Sequence, residues 1–372
     1  MRLGFACAWD PRPEPTWSYT PWNLRRALGA QAEVVDIGLE FPRPVRLSLK
    51  AAHARRVAGH WVSMWKHSPS ARFYGQTVLR YAERRQGCDI VLQVQDLAAL
   101  RGPYLVLQDL SYDVLLDEVD THGTLTHFPS LSRDQVLRLR DRQRGIYQGA
   151  AGILAMSNWF ARHLVAHSEV PADRVHVVHP GASASWLGDP PAARDPRGPR
   201  RRLLFVGKDF RTKGGEQVVG ALAVLRAEVD PDITLTVVGP REWPLPGPTP
   251  PGVRFRGRLP VEALAAVYAE HDVFVMPSHF EGFGIALVEA LALGLPCVAR
   301  RAFAMPEIVR PGENGALAET DDPAELAAVL AEVLADDAMF DRTAAQAGEV
   351  RRYYSWDRAA RDVLAVAKGI TG

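Results

Sequence analysis

Apolar residues run along this chain in short blocks of strand length, separated by longer stretches in which they recur at helical spacing. That alternation predicts βαβ units and parallel sheets. It occurs twice. The first series of strands is expected at 3–8, 33–37, 90–94, 104–107, 152–156 and 175–178, and the second at 203–206, 234–238, 253–256, 273–276 and 296–299. Between the two series lies GDPPAARDPRGPRRR, residues 188–202, whose proline, glycine and arginine content sustains neither period. The expected organisation is a first domain over 1–187, a linker over 188–200, a second domain over 201–353 and a terminal helix over 354–372. A second proline-rich piece, 240–251, follows a strand and reads as a surface loop.

A length of 372 residues suits two domains, each able to bury its own core. Cys7, Cys88 and Cys297 are widely spaced in apolar surroundings, which argues against a disulfide framework or a zinc spacing and for a reducing, cytoplasmic setting. No signal peptide or membrane-spanning run is expected, because the first apolar run ends at Asp10 and the richest stretch, 285–299, contains Glu289. With 44 Lys and Arg against 43 Asp and Glu, the chain lacks the basic excess of a nucleic-acid binder. The near-neutral total hides two opposed halves. Residues 1–187 carry 22 basic and 17 acidic side chains, whereas 188–372 carry 22 and 26.

Chemistry concentrates in the second half. In PSHFEGFGIALVEALALGLPCVA, 277–299, a strand gives way to Glu281-Gly282-Phe283-Gly284 and then to a helix that Gly294 and Pro296 terminate. Glycines at a strand end let backbone N–H groups approach a ligand, and the helix N-terminus favours an anion. The motif lacks the third glycine of a dinucleotide fingerprint, so a plain strand-to-helix turn fits it too. Glu289 sits among Leu287, Val288, Ala290 and Leu291, where a carboxylate needs partners. A ribose diol would supply two donors; a local arginine or the helix dipole would also serve. In FVGKDFRTKGG, 205–215, Lys208 and Lys213 follow the first strand of the second series. They are placed either to neutralise a leaving diphosphate or to form a solvated basic turn. His53, His60 and His67 recur every seven residues on what reads as one helix face, without carboxylates, and no metal site is expected; His122 and His127 fall in a loop.

Glu281 and Glu289 around GFGIALV, with the Gly207-Lys208 to Lys213-Gly214 loop, resemble the retaining glycosyltransferases of family 4. Ser157-Asn158-Trp159, His179-Pro180-Gly181, Gly257-Arg258-Leu259, Pro306-Glu307-Ile308-Val309 and Pro311-Gly312-Glu313-Asn314-Gly315 add to the resemblance. It is specific over 153–357 and general over the first 150 residues. It implies the α/β GT-B fold, two Rossmann-like parallel-sheet domains facing a central cleft, and a nucleoside-diphosphate sugar as donor substrate, with no cofactor and no metal. By position, Glu289 would bind the ribose, and Lys208 and Lys213 the diphosphate. Glu281, with Gly282 and the Phe283 and Gly284 backbone, would hold the sugar, and Arg258 would meet the base through its backbone. Three positions depart from the family. Lys208 stands where arginine is frequent, Trp17-Ser18-Tyr19 where the first loop usually has glycine, and Gln108-Asp109 where many members have His-Asp. Asp109 is the first-domain catalytic candidate; a loop-capping aspartate is its other reading.

The first half also carries a basic, aromatic segment, 43–85, with ten basic residues and one acid, Glu83. Val57, Trp61, Met64, Trp65 and Ser68 fall at helical spacing and predict an amphipathic helix against the first sheet. Its Arg and Trp residues would also suit an anionic membrane surface or a lipid-phosphate acceptor. Three functions thus stand side by side: a glycosyltransferase with an unidentified acceptor, a nucleotide-sugar-binding protein without turnover, and a membrane-surface interaction protein.

Overall fold

The structure is a computed structural model and describes residues 1–57, 60–122, 128, 131–182 and 198–372. It divides into two compact units, Met1–Pro180 with Trp356–Gly372, and Gly181–Ser355. The first unit therefore ends before the expected boundary at 187. The reason is local: the Ala182 N–H donates to the Tyr354 carbonyl at 2.8 Å, and Ala182 is buried in the second unit's core. Residues 188–197 of the expected linker lie outside the described residues.

In the first unit the strands are β1 (Arg2–Ala6), β2 (Glu33–Asp36), β3 (Ala54–Val57), β4 (His60–Ser63), β5 (Ile90–Val94), β6 (Tyr104–Gln108), β7 (Gly152–Ala155) and β8 (Val175–Val177). Six of them form a parallel sheet ordered β2-β1-β5-β6-β7-β8, while β3 and β4 pair antiparallel as a separate hairpin. The helices are α1 (Thr20–Gly29), α2 (Arg43–Ala52), α3 (Pro69–Gln86), α4 (Tyr112–His122), α5 (Arg133–Gly149) and α6 (Asn158–His167). Serine starts three of them. Ser68, Ser132 and Ser157 accept from first-turn N–H groups of α3, α5 and α6, with a reciprocal Gln135 contact completing a capping box at α5.

The second unit holds β9 (Arg202–Val206), β10 (Thr234–Val238), β11 (Val253–Gly257), β12 (Val273–Met276), β13 (Cys297–Arg300) and β14 (Gly315–Ala318), ordered β11-β10-β9-β12-β13-β14 and all parallel. Its helices are α7 (Gly215–Glu228), α8 (Val261–Ala269), α9 (Ile285–Ala292), α10 (Met305–Ile308), α11 (Pro323–Ala335) and α12 (Asp337–Tyr353). Central strands such as β12 are buried at every residue, as strands covered by helices on both faces must be. The last helix, α13 (Trp356–Thr371), belongs to the first unit and buries Trp356, Ala359, Val363 and Leu364 with Leu24 and Leu28 of α1.

Segment 53–68 is not one helix. After α2 the chain forms the β3–β4 hairpin, a short turn over Trp65–His67, and then α3. Gly59 interrupts the stretch, and the β-branched and aromatic residues around it favour strand over helix. The three histidines consequently part company: His53 follows α2, His60 lies in β4 and His67 in the turn. Trp61 is 76% exposed, whereas Trp65 is buried edge-on against Phe41 at 4.9 Å. The short strand β14, inside Gly-Ala-Leu-Ala, was not predicted at all. Among the described residues no helix is long and apolar enough to cross a membrane.

Candidate active site

Strand order decides where a ligand can lie. In the second sheet the order reverses between β9 and β12, and in an open parallel sheet the crevice beyond the strand ends at such a switch point is the ligand seat. The loop after β9 carries Lys208 and Lys213, and the loop after β12 carries Glu281 to Gly284. The fold thus brings the two motifs together from about 70 residues apart. Their meeting is held by backbone: the Thr212 carbonyl accepts from the His279 N–H at 2.8 Å and from the Ser278 hydroxyl at 3.1 Å. Buried Thr212 in turn donates to Asp209 at 2.7 Å.

Each loop ends in a glycine that no other residue replaces without strain. Gly214 starts α7 at φ 77°, and a Cβ there would lie 2.4 Å from the Pro277 carbonyl oxygen. Gly284 starts α9 at φ 103°. Neither helix has a side-chain cap, so first-turn N–H groups remain at the mouth of the crevice.

The Lys213 ammonium donates to Glu281 Oε2 at 2.8 Å and to the Phe280 carbonyl at 3.3 Å, which leaves one of its three N–H bonds for another acceptor. Lys208 and Arg258 pair with no carboxylate among the described residues, although they are close enough to repel. Partial burial, with the Arg258 charge adding, pulls the Lys208 ammonium below the ordinary lysine range. Two like charges near one another favour an anion between them. Glu289 is 8% exposed on α9, and its charge, after burial itself, helps hold the Tyr268 phenol well above the usual range. The Phe283 ring packs in the core against Tyr354, so only its backbone faces outward chemistry.

A cluster that sequence reading missed sits beside Glu281. His279 Nδ1 lies 2.7 Å from Arg300 Nη1, and Asp321 reaches both, at 3.2 Å and 2.5 Å. These residues come from the ends of β12, β13 and β14, and no sequence spacing announces them.

In the first unit the switch point falls between β1 and β5. A cavity of about 330 Å³ opens there, with Asp10, Trp17, Lys66, Asp96, Tyr112 and Arg142 in its wall. Trp17, Ser18 and Tyr19 have φ of 41°, 56° and 66°. The loop therefore adopts the left-handed backbone that glycine supplies elsewhere, at about 1 kcal/mol or more per residue. Asp109 directly follows β6 and is half-buried. Its neighbour Gln108 is buried, accepting from the Tyr147 hydroxyl at 2.8 Å. Asp96, which the sequence did not single out, ends at the same cavity; burial raises its carboxyl above the usual range against the opposing charges of Arg72 and Arg142. Away from both crevices, Asp117 of α4 bonds His163 of α6 at 2.9 Å, and His167 stacks on His163 at 4.4 Å. That grouping was invisible to the sequence, because two helices contribute to it. His127 lies outside the described residues.

Residues 200–336 match the family described as glycosyl transferases group 1. A D-inositol 3-phosphate glycosyltransferase of Corynebacterium efficiens is 35% identical over 218 residues, which is 52% of this chain and 50% of that protein. The chain spans about half the length of the curated relatives it matches. Among solved structures, sucrose-phosphate synthase from Thermosynechococcus elongatus superposes with a TM-score of 0.73 at 18% identity, covering 99% of this chain and 98% of the other. Anabaena HepE, solved in complex with UDP and glucose, superposes with a TM-score of 0.63 at 15% identity and covers 98% of both chains. The second unit thus carries the group 1 glycosyl transferase match, and the chain has the two-domain GT-B fold of these solved structures.

Proposed function

We propose that the chain is a retaining hexosyltransferase of the family 4 type, moving a sugar from a nucleoside-diphosphate sugar to an acceptor held by the first unit, without a metal. The observation that carries this reading is the pair of cations without a carboxylate partner among the described residues, Lys208 and Arg258, with the Lys213–Glu281 pair at the second unit's switch point. The glycosyltransferase names of the relatives support sugar transfer, and the UDP and glucose bound to HepE support the donor class. In this reading Lys208 and Lys213 hold the diphosphate, Glu281 with Gly282 and the Phe283 and Gly284 backbone holds the sugar, Glu289 holds the ribose, and the Arg258 backbone meets the base. The acceptor oxygen bonds to the anomeric carbon on the face from which the diphosphate leaves. The carbon–oxygen bond to phosphate breaks, and the acceptor's proton passes to the departing phosphate oxygen. In this reading Asp109, which follows β6, orients that acceptor. Fixed cations and helix N-terminal N–H groups stabilise the charge that grows on the diphosphate.

The test is thermal. A nucleoside diphosphate at about a thousand times its Kd should stabilise the protein by about 4 kcal/mol, and Glu289→Ala should abolish most of that shift. If no nucleoside diphosphate raises the Tm of the wild type, the donor assignment fails. Gln108 in place of histidine and the left-handed Trp17–Tyr19 loop favour one second reading, a nucleotide-sugar binder without turnover. It would bind donor tightly and release no nucleoside diphosphate with any acceptor.

A further inference from the structure

The first unit contains a second, larger cavity, about 590 Å³, beside the one at the strand ends. It lies among α2, the β3–β4 hairpin, α3 and α5, where the basic segment folds. Its wall carries Arg55, Arg72, Arg138 and Arg142 with His53 and His67 and, among the described residues, no carboxylate. His67, Arg72 and Arg142 line both cavities, so the two spaces share one basic wall.

Those guanidiniums are not equally engaged. Arg142 is fixed by the Asp96 and Leu97 carbonyls at 3.1 and 2.6 Å. Arg55 donates to Gln135 at 3.3 Å. Arg72 donates through Nη2 to the Tyr112 hydroxyl at 2.9 Å, but its Nε and Nη1 are buried with no acceptor among the described residues. Arg138 is exposed and pairs with no carboxylate among the described residues. A buried donor left unmade is costly, so an acceptor that reached the Arg72 fork would relieve it. The electrostatics agree with the geometry: burial, then the charges of Arg72 and Lys66, push the His67 imidazole down to about 4.

We infer that this cavity binds a phosphate monoester on the acceptor, with Arg72 and Arg138 as its principal ligands and Arg142 linking it to the strand-end cavity. The inference rests on the acceptor-side reading of the first unit given above. A phosphate presents several acceptor oxygens and up to two negative charges, which suits converging guanidinium forks better than one ammonium would. The cavity is far larger than a phosphate ion, so the ester arrives attached to a body. That body is either a small polyol or sugar, or a lipid headgroup.

The probes are D-inositol 3-phosphate, inositol, inorganic phosphate, and vesicles of neutral phosphatidylcholine with or without phosphatidylinositol phosphate. Binding would be measured by calorimetry and sedimentation without nucleotide, on wild type, Arg138→Ala and Arg72→Met. Methionine keeps the length of the buried stem while removing the unpaired donors. The expected result is binding of the phosphate ester but not of inositol, weakened about 10- to 100-fold in each variant, the loss of one or two charge-assisted bonds. Stabilisation by nucleoside diphosphate should be unchanged in both variants. Binding of the free ester places the phosphate on a soluble acceptor; vesicle binding that both variants lose places it on a lipid. Ester or vesicle binding that both variants retain would overturn the cavity assignment, as would the absence of both while nucleotide still binds. Loss of nucleotide binding in the wild type would instead sink the donor reading.

Discussion

Lys213→Ala should lower nucleoside-diphosphate release by about 100- to 1,000-fold at saturating donor, the size of effect seen when one fixed stabilising donor is removed from a developing anion. The loss should fall on kcat more than on KM, because charge on the leaving diphosphate grows towards the transition state. The substitution also strips Glu281 of its 2.8 Å partner. A parallel Glu281→Gln variant, which keeps a hydrogen-bonding side chain without the charge, separates the two contributions. Steady-state release assays on the full chain with a panel of nucleotide sugars supply the measurement. A kcat within a few-fold of wild type for Lys213→Ala would remove this lysine from the chemistry.

Gly214→Ala should be the most damaging small substitution near the site. At φ 77° an alanine pays about 1 kcal/mol for the backbone alone, and its Cβ would meet the Pro277 carbonyl oxygen at 2.4 Å. Backbone cannot rotate away as a side chain can, so the β9 and β12 loops must separate. A total of about 3–5 kcal/mol is expected, read as a fall in the urea midpoint, together with loss of nucleotide stabilisation. Gly247→Ala is the matched control, with φ 79° and nothing within 4 Å of the added Cβ. It should lose only about 1 kcal/mol. Equal losses in the two variants would show that loop contact at Pro277 contributes nothing.

The regular βαβ alternation was legible because buried parallel strands must be apolar on both faces, and each of the eleven expected strands overlaps a strand of one of the two sheets. The twelfth, β14, is only Gly-Ala-Leu-Ala. Its Gly315 approaches Cys297 so closely that a Cβ would sit 1.9 Å from the Cys297 carbonyl. Small residues carry no hydrophobic signal, and their packing reason exists only once β13 is alongside. Segment 53–68 failed for a different reason. Helical spacing of Val57, Trp61, Met64 and Trp65 is also consistent with a hairpin followed by a turn, and periodicity alone does not choose between them when a glycine interrupts the run.

The sequence by itself determined which candidate residues stand close together along the chain. Glu281 to Gly284 and the two lysines stand in strand-to-helix loops and Glu289 on the helix after one of them, where residue type and spacing already specify backbone, charge and helix start. What only the tertiary structure decided is which loops meet. The β11-β10-β9-β12-β13-β14 order puts Lys213 against Glu281, and the packing of α3 and α5 turns a spread-out basic segment into a cavity wall with an unsatisfied Arg72. The physical reason is that charge and hydrogen-bonding act over a few ångströms of space, and separation along the chain says nothing about those distances until the strands have chosen their neighbours.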